Sequence, residues 1–386
     1  MNEKSDFSAD ELLRYSRHLN LPDFSQSEQL KLKSARVLVV GTGGLGAPVL
    51  QYLTAAGVGT IGLIDFDVVD VSNLQRQVLF STNDVGKSKV EVAKRRLRAL
   101  NPHLNFVVYN QPLNSENALE ILEDFDIIAD GTDNFPTRYL INDACVLLGK
   151  INVHASVFRY EGQVSVFNYP DQNGERGPNY RDLFANPPAP EFVSSCAEGG
   201  IIGVLPGILG SMQALEILKI IIGKGQILSG KIFIFDALSM HSRVLGFKKN
   251  AENPISGENP TITELIDYEE FCGHNQQSEQ HRAIDVAKLQ EWLAGSPVEF
   301  QLIDVRETTE YEVGNIGAES MPLSVLESLT EKIATDRPVV IHCKSGARSK
   351  KAISLLSKKY GYANLYNLTG GILAWKEKYA PDLIVL

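Results

Sequence analysis

Cysteine is scarce: the 386 residues include only Cys145, Cys196, Cys272 and Cys343, no two of them close together. That excludes a disulfide framework and fits a reducing compartment. Basic charge is not in excess either, with 37 Lys and Arg against 47 Asp and Glu and a net charge of −10. Proteins that coat nucleic acid or a membrane surface carry a basic footprint, so neither is expected as a partner. The opening stretch, MNEKSDFSADELLRY, has no apolar core of the kind a signal peptide needs. Long apolar runs are nearly missing too. Residues 201–222 are long enough to span a bilayer, but Pro206, Gln213, Glu216 and Lys219 interrupt them. Glu216 and Lys219, three apart, would mark one polar edge of a helix whose other faces are buried. A soluble, cytoplasmic protein is expected.

With about 150 residues per domain as a guide, the length fits two to three domains. A composition of 44% hydrophobic and 22% charged residues leaves ample material for a core. Two breaks divide the chain. Residues 170–195 hold five prolines and little periodicity, which reads as a long mobile loop. Residues 273–282, GHNQQSEQHR, have no aliphatic side chain and read as a linker between a domain at 1–272 and one at 283–386. Upstream, apolar runs at 35–40, 60–65 and 126–130 read as strands, with helical patterns at 47–57 and 87–100 between them. Strand–helix–strand order with short connections implies a parallel sheet covered on both faces. Downstream, FQLIDV, PVVIHC and NLYNLTG are short strands separated by helical stretches, a second and smaller α/β domain.

Gly41-Thr-Gly43-Gly44-Leu-Gly46 follows a strand and opens a helix. Glycines let the backbone approach a phosphate, and the helix N-terminus offers free N–H groups and the positive end of its dipole. Asp65 stands at the end of the next strand, where an acidic side chain can accept ribose hydroxyls. These features alone fit a nicotinamide-dependent oxidoreductase equally well. The residues that follow discriminate: Asp65-Phe-Asp67, then Ser72-Asn73-Leu74-Gln75-Arg76-Gln77, Lys89 and Thr132-Asp133-Asn134, with Arg14 and Arg17 ahead of the first strand. Hydride transfer has no need of several cations and a further carboxylate converging on one phosphate. Attack of a carboxylate on an α-phosphate does, because charge builds on the phosphoryl oxygens and pyrophosphate must leave neutralised.

In that order, RYSRH, VLVVGTGGLG, GLIDFDVVDVSNLQRQ, the lysine of GKSKVEVA and DGTDNFPTR resemble the ubiquitin-activating superfamily. Within it they are most similar to the MoeB/ThiF-type adenylyltransferases that activate sulfur-carrier proteins. The resemblance spans about 1–272 and implies a Rossmann-like ATP-binding domain. The implied reaction is adenylation of the C-terminal glycine of a small ubiquitin-fold protein ending in Gly-Gly. It also implies the site: Gly41, Gly43, Gly44 and Gly46 against the nucleotide and Asp65 on its ribose. Asn73, Arg76 and Lys89 hold the phosphates, Asp133 organises Mg2+, and Asp67, Ser72, Leu74, Gln75 and Asn134 complete the nucleotide-binding set. Arg17 matches the arginine that reaches the γ-phosphate of the neighbouring subunit's ATP, so a homodimer is implied.

Cys196, in SSCAEGGIIGVLPG, closes the proline-rich stretch ahead of a helical run. A free cysteine is commonly a small buried hydrophobe, but a helix N-terminus favours the thiolate. The family has a cysteine at the matching place, implicated in thioester or disulfide exchange with the carrier. The chain departs from the family at the structural zinc, which the family holds with two C-x-x-C pairs. The matching positions here are Asn179, Asp182, Asn253 and Ser256, poor ligands beside thiolates, so no structural zinc is expected. Cys145 reads as core, and Cys272 is assigned no role.

His342-Cys343-Lys344-Ser345-Gly346-Ala347-Arg348-Ser349 follows the strand PVVI and precedes a helix. A cysteine at a strand end whose loop wraps into a helix N-terminus gathers backbone N–H groups around its sulfur, with Arg348 adding positive potential. That suits a thiolate, a persulfide or a thiophosphate, so a cysteine phosphatase or arsenate reductase is the rival reading. Their loops are typically one residue longer. With Asp304-Val-Arg306, Glu310-Tyr311, Gly317-Ala318 and Gly370-Gly371-Ile-Leu-Ala-Trp375, residues 283–386 resemble a single-domain rhodanese, although Asn315 stands where histidine is usual. By that resemblance Cys343 carries the persulfide, on a loop of Cys343, Lys344, Ser345, Gly346, Ala347 and Arg348, while Asp304 and Arg306 support the fold. His342 reads as structural, since strand neighbours face opposite ways.

Together these readings predict an adenylyltransferase joined to a sulfurtransferase, using ATP and Mg2+, with a cysteine desulfurase or similar persulfide donor as a further partner. The molybdenum cofactor, thiamine, cysteine and tRNA-thiolation pathways all use Gly-Gly-ended carriers, of which the molybdopterin-synthase small subunit is the type. The alternatives are an oxidoreductase fused to a sulfurtransferase, an activating enzyme for a protein-conjugated modifier, and a non-catalytic scaffold. The set of Arg17, Arg76, Lys89 and Asp133 argues against the scaffold.

Overall fold

The computed structural model describes residues 7–188, 200–272, 282–295 and 298–385. Its contacts divide the chain into two compact units, Met1–Asn275 and Gln276–Leu386. The stretch read as a linker, 273–282, lies outside the described residues but for Arg282.

The first unit is built on an eight-stranded sheet of order β3-β2-β1-β4-β5-β6-β7-β8. Its strands are β1 (Arg36–Val40), β2 (Thr60–Ile64), β3 (Asn105–Tyr109), β4 (Ile127–Asp130), β5 (Ile151–Phe158), β6 (Glu161–Phe167), β7 (Lys231–Asp236) and β8 (His241–Gly246). The first five are parallel, as the alternation of strands and helices predicts. Both faces are covered, and β1 shows how. Val37 and Val39 pack with Leu50 and Leu53 of the helix Gly46–Ala56, while Leu38 packs on the other face with Phe125 and Ile141. Successive side chains of a strand point to opposite faces, so an unbroken apolar strand needs cover on both.

The sheet then continues in a way the sequence reading did not anticipate. β5, β6, β7 and β8 pair antiparallel. Phe158 pairs with Glu161, leaving only Arg159 and Tyr160 to turn the chain, with Arg159 at φ 54°. So short a connection reverses direction, whereas a parallel pair needs a crossover of a dozen residues or more. The apolar run read at 201–222 forms the helix Val204–Ile222, long and apolar enough by composition to cross a membrane. Here it lies against the sheet and the helix Gly46–Ala56, with Ala214 and Ile217 fully or nearly fully buried. Its buried Gln213 amide donates to the carbonyl oxygens of Asp130 at 2.8 Å and Val153 at 2.6 Å.

The stretch 170–195 is not one mobile loop. Within it the short helix Tyr180–Leu183 carries Arg181, fully buried and paired with Asp143. The pairing partner lies far back in the chain, so local proline content misleads here. Residues 189–195 fall outside the described residues.

The second unit is a five-stranded parallel sheet of order β11-β10-β12-β13-β9. Its strands are β9 (Arg282–Ile284), β10 (Gln301–Asp304), β11 (Glu319–Ser320), β12 (Val339–His342) and β13 (Leu365–Leu368). At the end of β10, Asp304 forms an ion pair with Arg306, two residues on, with both side chains fully buried. The guanidinium bonds both carboxylate oxygens and donates to the Gly314 carbonyl at 2.7 Å. Removing one member of such a pair leaves the other charged and unsolvated. Asp304→Ala is therefore expected to destabilise the second unit by about 3–5 kcal/mol. Tryptophan fluorescence in a denaturant titration reads this unit alone, because Trp292 and Trp375 are the chain's 2 tryptophans. An unchanged midpoint would show that the pair does not hold the fold.

Candidate functional site

In the first unit a cavity of about 390 Å³ opens at the C-terminal ends of β1, β2 and β4. The glycine loop forms its floor. Gly41 sits at φ +85°, which favours glycine, and Gly46 lies so close behind it that a Cβ would come within 1.8 Å of the Gly41 carbonyl oxygen. Thus the loop doubles back tightly into the helix Gly46–Ala56. A Cβ on Gly44 would meet Pro206 at 3.1 Å and Arg76 at 3.5 Å, so those two side chains stand over the loop.

Asp65 is tied to this loop. Its Oδ2 accepts from the Thr42 backbone N–H at 2.8 Å and the Thr42 hydroxyl at 2.9 Å, and its Oδ1 accepts from the Asp67 N–H at 3.0 Å. A carboxylate so anchored keeps spare lone pairs in one orientation. Lys89 is 4% exposed and sets its ammonium 2.8 Å from Asp67 Oδ2. Gly41, Gly43, Gly44, Asp65, Asp67, Arg76, Lys89, Asp133 and Asn134 all border the cavity. Asp133 is exposed, and Asn134 caps the helix Phe135–Leu147 by accepting from the Thr137 N–H at 2.9 Å. Cations, carboxylates and a glycine loop at one helix N-terminus form an arrangement that can hold a polyphosphate and oppose its charge.

Other candidates from the sequence are not brought into the lining. Ser72 and Asn73 lie in the single turn Val71–Asn73, where their side chains bond Asp70. Leu74 packs against the core, and Gln75 abuts Gly203. Gly46 lies behind the floor, while Arg17 is exposed on the helix Ser16–Leu19 and does not border the cavity.

Sequence reasoning missed the support beneath the loop after β4. Asp130 is wholly buried. Its Oδ1 accepts from the Thr132 N–H at 3.0 Å and hydroxyl at 2.6 Å, and its Oδ2 lies 2.8 Å from His154 Nδ1. Burial pushes this carboxyl up, but the hydrogen bond and charge of His154 pull it further down, below the usual carboxylate range. Asp130 and His154 are register partners of β4 and β5, a relation that only strand pairing reveals. Thr132, which the carboxylate holds, lines the cavity, as does Gln77.

In the second unit Cys343 follows β12, and Gly346, at φ +102°, opens the helix Ala347–Tyr360. The sulfur accepts from the Gly346 N–H at 3.2 Å, and the Ser349 hydroxyl lies 3.6 Å away. Gly371 seats the loop: a Cβ there would meet the Cys343 and Lys344 carbonyl oxygens at 2.4 Å and 2.6 Å. Two expectations need correction. Among the described residues one backbone N–H, not several, reaches the sulfur. Arg348 does not lend its charge to the loop unopposed, because Glu310 grips it with two bonds, at 2.5 Å and 2.8 Å. A guanidinium and a carboxylate match as forks, and Glu310 meets Arg348 in that way. Cys343 itself is 1% exposed. His342 is fully buried, and burial lowers its pKa. Lys344 is half-buried, and Ser345 and Ala347 are exposed.

Of the other cysteines, burial pushes the Cys145 thiol up and the Cys272 thiol up to about 12, so both stay protonated in the core. Cys196 lies outside the described residues.

The ThiF family model matches residues 15–255, and the rhodanese-like domain model matches residues 285–378. Over 99% of its length the chain is 44% identical to the probable adenylyltransferase/sulfurtransferase MoeZ of Mycobacterium tuberculosis, covering 97% of it. It is 52% identical to the sulfur carrier protein adenylyltransferase of Thermus thermophilus over 69% of this chain and 98% of that one. It is 41% identical to the adenylyltransferase and sulfurtransferase MOCS3 of Xenopus laevis over 98% of this chain and 89% of that one. Among solved structures, E. coli MccB shares the fold at TM-score 0.58 and 22% identity, covering 66% of this chain and 75% of that one.

Two outcomes are expected. Gly46→Ala, which forces a Cβ against the Gly41 carbonyl, should weaken ATP binding at least about tenfold in calorimetric titration. Unchanged affinity would remove the loop from the nucleotide site. Burial raises the Glu310 carboxyl, but its bonds to Arg348 lower it further, below the ordinary 4.5. The pair's contribution to stability is therefore complete above about pH 4.5 and lost as the pH falls through the lowered value. Glu310→Gln should flatten that acid dependence in the second unit's thermal unfolding.

Proposed function

The chain belongs to the ThiF family and carries a rhodanese-like domain, and from that premise we propose how its two sites share one reaction sequence. The first unit uses ATP to adenylate the C-terminal glycine of a small ubiquitin-fold sulfur carrier ending in Gly-Gly. The observation that carries this reading is the cavity itself, where Asp65, Arg76, Lys89 and Asp133 meet the glycine loop. Asp65, fixed by Thr42, accepts the ribose hydroxyls. Lys89 exchanges Asp67 for a phosphate oxygen, and Arg76, standing over Gly44, opposes the charge that builds on the α-phosphate. The carrier's carboxylate oxygen attacks the α-phosphorus, the bond to the β-phosphate oxygen breaks, and pyrophosphate leaves.

Mg2+ typically binds through one or two carboxylates plus the substrate's phosphates, and Asp133 and Asp67 at the cavity supply that donor set. When bound, the ion neutralises charge on the leaving pyrophosphate. Arg17, exposed and away from this cavity, is assigned to the neighbouring subunit's nucleotide in a homodimer. The setting is the cytoplasm.

The second unit supplies sulfur. A persulfide on Cys343, charged by a donor such as a cysteine desulfurase, attacks the acyl-adenylate carbonyl with its outer sulfur, and AMP leaves. The Cys196 thiolate then attacks the Cys343 sulfur, releasing the carrier thiocarboxylate and leaving a Cys196–Cys343 disulfide for an external dithiol to reduce. Covalent capture of this kind divides one difficult substitution into easier ones.

ATP–pyrophosphate exchange with Gly-Gly-ended carriers from the same cell tests the reading, since exchange dependent on one carrier also names the pathway. Arg76→Ala should lower that exchange by at least about a hundredfold, as loss of a charge-stabilising donor does elsewhere. Cys343→Ala should abolish thiocarboxylate formation and leave exchange intact. If it abolishes both, the division of labour is wrong.

A further inference from the structure

We propose that a closed cluster of hydrogen bonds among Asn179, Asp182, Asn253 and Ser256 fastens the first unit at the place where the family resemblance implies a structural zinc, so that this fastening needs neither a metal nor thiol ligands. The four positions come together as a zinc site would bring them. The Asn179 amide Nδ2 donates to the Ser256 hydroxyl oxygen at 2.7 Å, and the Asn253 amide Nδ2 donates to Asp182 Oδ1 at 2.7 Å and Asn179 Oδ1 at 3.3 Å. Asp182 is occupied on both oxygens, Oδ2 by the Asn179 N–H at 2.7 Å and Oδ1 also by the Asn250 N–H at 2.8 Å.

These residues do not fit zinc, and the reason is one of polarity. The orientation of both amides is dictated by backbone donors. Asn179 Oδ1 accepts from the Arg181 N–H at 3.0 Å, and Asn253 Oδ1 accepts from the N–H groups of Ile255 at 3.0 Å and Ser256 at 3.2 Å. With the oxygens so held, the Asn253 NH2 points between Asp182 Oδ1 and Asn179 Oδ1, and the Asn179 NH2 points at the Ser256 hydroxyl. An amide nitrogen has no lone pair to give a metal, and its hydrogens present positive charge where a cation would sit. Flipping Asn253 would set its oxygen against Asp182 Oδ1 and Asn179 Oδ1 and its NH2 against the Ile255 and Ser256 N–H groups, and flipping Asn179 would set its NH2 against the Arg181 N–H and the Asn253 NH2. Asn179 and Asn253 are each 1% exposed, so water does not compete for these bonds.

The turn that presents Asn253 also needs no ion. Gly257 closes it with an N–H bond to the Asn253 carbonyl at 2.9 Å, and a Cβ there would come within 2.3 Å of the Ala251 carbonyl oxygen. From Asn179 the bonding runs on to the helix Phe135–Leu147, which starts at the nucleotide cavity. Asn142 Oδ1 accepts from the Tyr180 N–H at 2.8 Å, and the Asp143 carboxylate takes Arg181 at 2.8 Å and 2.7 Å and the Tyr268 hydroxyl at 2.9 Å. The fastening therefore holds in register three stretches of chain remote in sequence.

The test uses the full chain and reads metal content and melting, neither of which depends on carrier chemistry. Purified protein should hold no stoichiometric zinc by elemental analysis, and phenanthroline should leave its first unit's calorimetric transition where it was. Asn253→Ala should lower that transition by several degrees, about 3–8 °C. The quadruple variant Asn179→Cys, Asp182→Cys, Asn253→Cys, Ser256→Cys should bind one zinc and become sensitive to the chelator. Stoichiometric zinc in the unaltered chain, with melting lowered on its removal, overturns the proposal, and so does an Asn253→Ala protein that melts unchanged. Should the quadruple variant not fold, those two measurements still decide.

Discussion

A buried carboxylate joins the parts of the first unit that the nucleotide cavity needs. Asp130 pairs through its backbone with Val40 of β1 and His154 of β5, and its carbonyl takes the Gln213 amide of the long apolar helix. Its side chain takes Thr132 on one oxygen and His154 on the other. Those partners come from four separate stretches of chain. A charge in so dry a place is tolerable only when every lone pair is answered, which ties the position of the Thr132–Asp133 loop to the packing of the sheet. The glycine floor obeys a steric constraint of the same severity, since Gly46 leaves no room for even a methyl group beside Gly41.

The second unit solves a similar problem with different means. Its buried pair, Asp304 and Arg306, secures the chain after β10, and a second pair, Glu310 and Arg348, connects that region to the cysteine loop. The loop's backbone rests on Gly371, where a larger residue would strike the Cys343 and Lys344 carbonyls. Cys343 is thereby held in the core with the Gly346 N–H and the Ser349 hydroxyl as its polar neighbours. Charge pairs and glycines thus place the sulfur, and the apolar cluster around Ile341 and Ile353 keeps water away from it.

Ion pairs and polar clusters recur in this chain wherever segments distant in sequence must be held in one register. Asp143 with Arg181, and Asn179 with Asn253, do so on one side of the first sheet. Such groups add little net stability over an apolar core, but a misplaced partner is costly, and that makes the arrangement specific.

The parallel half of the first sheet, the glycine loop, the motifs that carry Asp65, Arg76, Lys89 and Asp133 to the cavity, and the cysteine loop were legible in the amino-acid order, because each rests on local pattern: apolar runs, glycine spacing, a charged residue just past a strand. The sequence likewise showed that the four zinc-ligand positions lack cysteine. What replaces the metal was decided only in three dimensions, since Asn179 and Asn253 meet across more than seventy intervening positions. The same holds for the antiparallel half of the sheet, for Arg181 in a stretch that reads as loop, and for Asp130 with His154. It also holds for Arg348, whose charge is answered by a glutamate thirty-eight residues away. Local patterns report which way a segment bends and which face it buries, whereas partners for buried polar groups are set by the packing of segments that the pattern of any one of them does not contain.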